Sequence, residues 1–170
     1  MIISLDTETT GCDFAHGAQP FLVTWCEPNK DPCYVEWNVD PLTRKPDIPW
    51  EDLIDIADLL DAADLIYLQN AKFDARALAS VGIKLPWPKV RDTLVMGHLL
   101  ASNHGHRLDQ MCVEYLGADI SQFEEDVRAT TRAVRAIAKR DFPHWRLADE
   151  GAPGMPSVKA TTKRDEDKPW

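Results

Sequence analysis

Leu5-Asp6-Thr7-Glu8-Thr9-Thr10-Gly11 is the stretch on which the reading of this chain turns. It follows Ile2-Ile3-Ser4, a short β-branched run suited to a central strand, and it closes on a glycine, where a turn is expected. Alternate residues of a strand project to the same side, so Asp6 and Glu8 present both carboxylates to one point if the strand runs this far. Two adjacent carboxylates repel each other. A divalent cation removes that cost, and hard oxygen ligands are what Mg²⁺ and Mn²⁺ prefer. Taken alone, Asp-Thr-Glu is as much at home in a solvated loop.

Outward from this motif, Phe21-Leu22-Val23-Thr24-Trp25-Cys26 and Tyr34-Val35-Glu36-Trp37-Asn38-Val39 read as two more strands, parted by the turn formers Pro28 to Pro32. The three runs suggest an antiparallel meander. From Trp50 the period changes to that of a helix, with Leu53, Ile54, Ala57 and Leu60 recurring to about Asp61 after a start signal at Pro49. Leu65-Ile66-Tyr67-Leu68 is a compact apolar run expected of a strand covered on both faces, and a helix from near Asn70 is ended by Gly82. Apolar stripes at Leu94 to Leu100 and Leu108 to Leu116 mark two helices. Ser121 to about Arg140 reads as a longer helix, acidic first and basic last in keeping with its dipole. Beyond Pro143 no periodicity remains, so the expected division is a domain over 1–142 and an irregular tail over 143–170.

Composition bounds the function. The 170 residues suit one domain, and 44% hydrophobic with 28% charged residues is the balance of an ordinary globular protein. No stretch reaches the roughly 18 apolar residues of a membrane span and no leader pattern opens the chain, so a cytoplasmic protein without membrane partners is expected, in a bacterial or phage-infected cell. Cys12, Cys26, Cys33 and Cys112 have neither zinc nor redox spacing and are expected to be reduced and mostly buried. His98, His104 and His106 suit loop or helix-end roles, and the tryptophans suit core packing, with Trp87 and Trp145 the least certain. A formal charge of −9 argues against gripping nucleic acid through a broad basic surface, yet bound cations reverse the local field, so a nuclease is not excluded.

The second constellation is Gln69-Asn70-Ala71-Lys72-Phe73-Asp74, directly after the apolar strand. On a helix Asn70 and Asp74 share a face. The competing structural role is a helix cap by Asn70 beside a solvated Asp74. What matters more is the order, a carboxylate pair on the first strand and then Asn-x-x-x-Asp opening a later helix.

In that order the two motifs resemble the first and second motifs of the four-carboxylate 3′→5′ exonuclease superfamily. The run through Ala77 to Ile83, Asp92-Thr93-Leu94 and His106-Arg107-Leu108-Asp109 resembles the proofreading exonuclease domain of family A DNA polymerases, over roughly residues 1 to 117. The resemblance implies an α/β, ribonuclease-H-like fold, with a mixed five-stranded sheet whose first three strands are antiparallel and whose faces carry helices. It implies two-metal phosphodiester hydrolysis at single-stranded DNA 3′ ends with Mg²⁺ or Mn²⁺, the cations about 3.5 to 4 Å apart. Asp6 would bridge both metals, Glu8 would hold the one that activates water, and Asp74 the second. Thr7 and Asn70 would contact substrate, and Phe73 would pack its helix onto the sheet.

The family's fourth carboxylate follows a tyrosine or a histidine near the carboxyl end. No Tyr follows Tyr115, and the histidine form has one candidate, His144 with Asp149, in a segment bounded by Pro143 and Gly151 that suits a loop better than a helix. The resemblance therefore implies a front part of a longer protein, cut before its last motif, with a polymerase domain in cis. Two rival readings stay open: an inactive fragment or relative that binds nucleic acid or a partner without cleaving, and a member that acts on RNA.

Overall fold

The computed structural model describes residues 1–141. They fall into two compact units, Met1–Gly117 and one that begins at Ala118. In the first, strand β1 (Ile2–Thr9) alternates strictly, with Ile3, Leu5 and Thr7 buried and Ser4, Asp6 and Glu8 outward. Antiparallel β2 (Pro20–Cys26) pairs with it, and β3 (Cys33–Glu36) pairs with β2 at the sheet's edge. On the other side β4 (Leu65–Leu68) and β5 (Val90–Asp92) add in parallel, giving the order β3-β2-β1-β4-β5. This mixed sheet, antiparallel through its first three strands, is the ribonuclease-H-like arrangement that the sequence led one to expect.

Helices α1 (Trp50–Ala62) and α2 (Ala71–Ser80) supply the connections that parallel strands require. Ile56 and Leu60 of α1 and Ala71 and Leu78 of α2 meet Ile3, Leu5, Val23, Ile66 and Leu68 of the sheet in one core. Each fully buried Leu or Ile side chain contributes about 1.5–3 kcal/mol. Helix α2 stops where Gly82 takes φ 89°, the left-handed form that glycine adopts freely, and the Ile83 N–H returns to the Leu78 carbonyl at 3.0 Å. Then follow α3 (Thr93–Leu100), a short α4 (Leu108–Met111) that widens into a π-helical turn over Cys112–Leu116, and, in the second unit, α5 (Ser121–Asp141). No described helix is long and apolar enough to cross a membrane.

Several expectations are corrected. β3 stops at Glu36 rather than Val39; the Trp37 backbone N–H still bonds the Phe21 carbonyl at 2.8 Å, while its buried indole donates to Asp52 of α1 at 2.7 Å. β4 is sealed on one face only: Ile66 and Leu68 are buried, while Leu65 and Tyr67 are half-exposed. The cysteines are free as expected, but none is buried, since Cys12 lies in a loop, Cys33 opens an edge strand, and Cys26 and Cys112 are half-exposed. Trp50 and Trp87 stand 65% and 55% exposed at element starts rather than in the core, where Trp37 sits. Phe73 meets Phe14 of the 3-10 turn Phe14–His16 edge-on, with ring centroids 5.4 Å apart, so it anchors the loop after β1 rather than the sheet. The tail over 143–170, with Trp145, lies outside the described residues.

Ile66 sits fully buried at the centre of β4. Ile66→Ala is expected to lower unfolding free energy by about 2–5 kcal/mol through lost transfer energy and the cavity left behind. Urea titration followed by tryptophan fluorescence checks this, and a loss below about 1 kcal/mol would contradict the core described here.

Candidate active site

The site is built where β1 outruns β4. Their pairing ends at Ser4 opposite Tyr67, so the last residues of β1 have no strand beside them on that edge. The chain instead turns at Gln69 and Asn70 into α2, and Asp74, in the first turn of that helix, takes the place of the absent strand. Its Oδ1 accepts the Thr7 backbone N–H at 3.1 Å and the Thr7 hydroxyl at 2.8 Å. Thr7 and Asp74 are 4% and 2% exposed, the two buried polar side chains among the described residues, and they satisfy one another.

Asp6 and Glu8 flank Thr7 on the opposite, outward side of the strand, as period-two spacing requires. Asp6 lines an open cavity of about 420 Å³ shared with Ser4, Thr24, Tyr67, Gln69 and Thr93. Both residues keep solvent contact, yet partial burial raises each carboxyl above its ordinary value, and the Asp6 charge raises Glu8 further. For Asp6 the nearby Thr7 N–H, which the geometry gives to Asp74, is a partial offset. Burial pushes Asp74 up to about 6; the Thr7 hydroxyl opposes this and the Asp6 charge adds to it. Asp6 is thus the common member, felt by Glu8 and by Asp74 alike.

The donor chemistry suits a hard divalent cation: three carboxylates, two of them outward, held in mutual repulsion. Among the described residues, however, no group of three or more Asp, Glu, His or Cys side chains is drawn close enough to hold a metal ion by itself. Thr7 stands between Asp74 and the outward pair and engages Asp74 from the inner face.

Asn70 stands at the N-cap position of α2 but is not part of the helix. Its backbone is left-handed at φ 65°, ψ 53°, and its side chain makes no cap bond, so neither the shared helical face nor the capping role describes it. Asp74 is buried rather than solvated. His144 and Asp149 lie outside the described residues. Of the histidines considered as ligands, His98 stacks on His106 with centroids 3.6 Å apart, and His104 pairs with Glu114 at 2.5 Å, which are loop-building roles. Residue-by-residue reading passed over Asp92 and Gln69, which touch the turn before α2; the signal for Asp92 was its place just ahead of a helix start, where Asp is a favoured cap.

A family model described as 3′-5′ exonuclease matches residues 2–139. Among solved structures, Brucella melitensis NrnC with bound Mg²⁺ aligns at 21% identity with a TM-score of 0.55, covering 70% of this chain and 55% of that one. NrnC bound to pGG aligns at 21% identity and a TM-score of 0.54, covering 70% and 54%. The POL domain of Pol1 from M. smegmatis, in complex with DNA primer-template and dNTP, aligns at 21% identity and 0.50, covering 71% of this chain and 19% of that one. The chain thus spans about 55% of the length of NrnC. These likenesses bear on the fold alone, which is the ribonuclease-H-like one. No curated protein sequence matches the chain.

Because the Asp74 carboxyl titrates near 6 in the folded chain and near 3.8 unfolded, folding holds its proton more tightly. That contribution to stability is complete below about pH 4 and is lost as pH rises through 6, on the order of 2–3 kcal/mol in all. Asp74→Asn keeps an oxygen for the Thr7 bonds and cannot ionise. It is therefore expected to be more stable than the parent at pH 8 and equal to it at pH 4, in denaturant titrations free of divalent ions; an equal difference at both values would refute the assignment.

Proposed function

As the chain belongs to the 3′-5′ exonuclease family, we propose that it is a divalent-metal-dependent nuclease removing nucleotides from DNA 3′ ends, in the manner of a polymerase's proofreading domain. The observation that carries this reading is the end of β1, where Asp6 and Glu8 project outward on either side of Thr7 while Thr7 binds Asp74.

In this reading Asp6 and Glu8 would hold one ion and Asp6 and Asp74 the other, and the ions would supply an activated water and charge stabilisation at the leaving oxygen. The chain's own contribution is placement. Thr7 pins Asp74 against the end of β1, so the acid cannot rotate away when the site is empty of substrate. The strand turns Asp6 and Glu8 to the same side, and Asn70, exposed ahead of α2 with no side-chain cap bond, would meet the terminal nucleotide. With a net charge of −9 the chain grips little of the upstream backbone, so affinity falls chiefly on the 3′ end itself.

The NrnC structure bound to pGG favours a second reading, in which the strand is a very short oligonucleotide rather than a long DNA end. A 5′-labelled single strand, supplied as DNA, as RNA and as a dinucleotide with Mn²⁺ or Mg²⁺, separates the two.

With the preferred strand, products are expected to shorten stepwise from the 3′ end and to vanish with chelator. Asp6→Asn and Glu8→Gln should each lose at least about 100-fold in rate, beyond the 10- to 100-fold typical of groups that only support a metal ligand. Chelator-resistant cleavage, or full activity in both variants, would end the proposal.

A further inference from the structure

A helix begins with backbone N–H groups that lack partners, and an Asn at the N-cap ordinarily turns its own side chain back to accept one of them. Asn70 precedes α2 in that position and makes no such bond. The two donors just ahead of those that such a side chain would cap are held by Asp92, from the end of β5. Its Oδ1 accepts the Asn70 N–H at 3.0 Å, and its Oδ2 the Ala71 N–H at 3.0 Å. The same Oδ1 accepts the Leu94 N–H at 3.0 Å and so caps α3 as well. One carboxylate holds two helix starts.

Its neighbour reinforces the clamp. The Thr93 hydroxyl lies 3.0 Å from the Leu68 carbonyl and 2.5 Å from the Gln69 side-chain oxygen, and the Gln69 amide donates to the His106 carbonyl at 3.1 Å. The whole turn from Leu68 to Ala71 is thereby fixed from β5 and the loop after α3. Within it Asn70 is held in the left-handed conformation, which Asn tolerates better than most residues but does not prefer. Bonds from backbone N–H to a carboxylate are charge-assisted and strong enough to hold it there.

We infer that Asp92 is a positioning residue of the exonuclease site: by holding the Asn70 and Ala71 N–H groups it keeps Asn70 left-handed, out of the ordinary cap conformation, which leaves the Asn70 side-chain amide for the nucleic acid and sets the start of the helix that carries Asp74. The inference rests on the exonuclease reading for its functional half and on the geometry alone for its structural half. Without the Asp92 carboxylate, Asn70 reverts to the ordinary extended cap and spends its amide on its own helix. Asp92→Asn offers no escape, because its one remaining acceptor cannot serve the Ala71 N–H while the new amide group points a donor at another donor.

The test uses the full 170-residue chain, with Asn70→Ala, Asp92→Ala, Asp92→Asn and the Asn70→Ala/Asp92→Ala double variant. On the preferred labelled strand, Asn70→Ala and Asp92→Ala are each expected to raise KM by about 10- to 100-fold, the range for groups that support a site from outside. The double variant should be no worse than Asp92→Ala, and Asp92→Asn should not rescue. In NMR spectra without substrate, the Asn70 side-chain amide resonances should shift in Asp92→Ala and exchange protection at Ala71 should fall. Multiplying losses in the double variant, a loss confined to kcat, or recovery by Asp92→Asn would overturn the inference. Should the parent cleave no strand, the exonuclease reading fails by itself, and unchanged Asn70 resonances in Asp92→Ala would separately overturn the positioning claim.

Discussion

The bond pair from Thr7 to Asp74 is the constraint around which the active end of this sheet is arranged. A parallel strand that ends early leaves its neighbour with backbone donors and nothing to receive them, and a buried unsatisfied N–H costs on the order of 1–3 kcal/mol. Here β4 ends at Leu68, and the carboxylate of Asp74 receives the Thr7 donor instead. The same bond that completes the backbone of β1 therefore fixes where α2 lies and where its first acid sits. Fold and site share one interaction, which is why the acid is buried rather than left on the helix surface.

That arrangement stores electrostatic tension. Three acids are raised above their ordinary values by burial, and two of them also by the Asp6 charge. Nothing basic among the described hydrogen bonds and ion pairs relieves Asp6 or Glu8. The chain as a whole carries a net charge of −9, and hard divalent cations are ions that carboxylate oxygens bind well. The tension points the same way as the family assignment, although the two arguments are independent.

Much of this was legible in the chain itself, and the reasons are specific. β1 could be read because an apolar β-branched run meets Asp6-Thr7-Glu8 without a breaker, and β4 because Leu65 to Leu68 is short and bounded by polar residues. β5 was not legible from periodicity: three residues after Pro86-Trp87-Pro88 carry no pattern, and only the resemblance supplied a fifth strand. The truncation of β3 at Glu36 was hidden because Trp37 continues a strand-like sequence while its indole is drawn to Asp52 by a tertiary contact. At the site, the outward pairing of Asp6 and Glu8 follows from strand geometry alone. The inward hold on Asp74 does not, since it depends on where β4 stops relative to β1, a register no local pattern records.

The acids also sort themselves by how far backbone donors satisfy them. Asp92 receives three backbone N–H groups, two on Oδ1 and one on Oδ2, so it builds structure. Asp74 receives two donors, both on Oδ1, and retains a second oxygen outside that pair. Asp6 has only the partial help of the Thr7 N–H, and Glu8 accepts no hydrogen bond among those described. Residue type cannot distinguish these four, because each is an ordinary acid beside a strand or helix start. Donor supply does distinguish them: a carboxylate that accepts several N–H groups is a cap, and one with few such donors beside another carboxylate is costly to ionise. On that scale Asp92 stands at one end, Asp6 and Glu8 at the other, and Asp74 between them, tied to the end of β1 through its Oδ1.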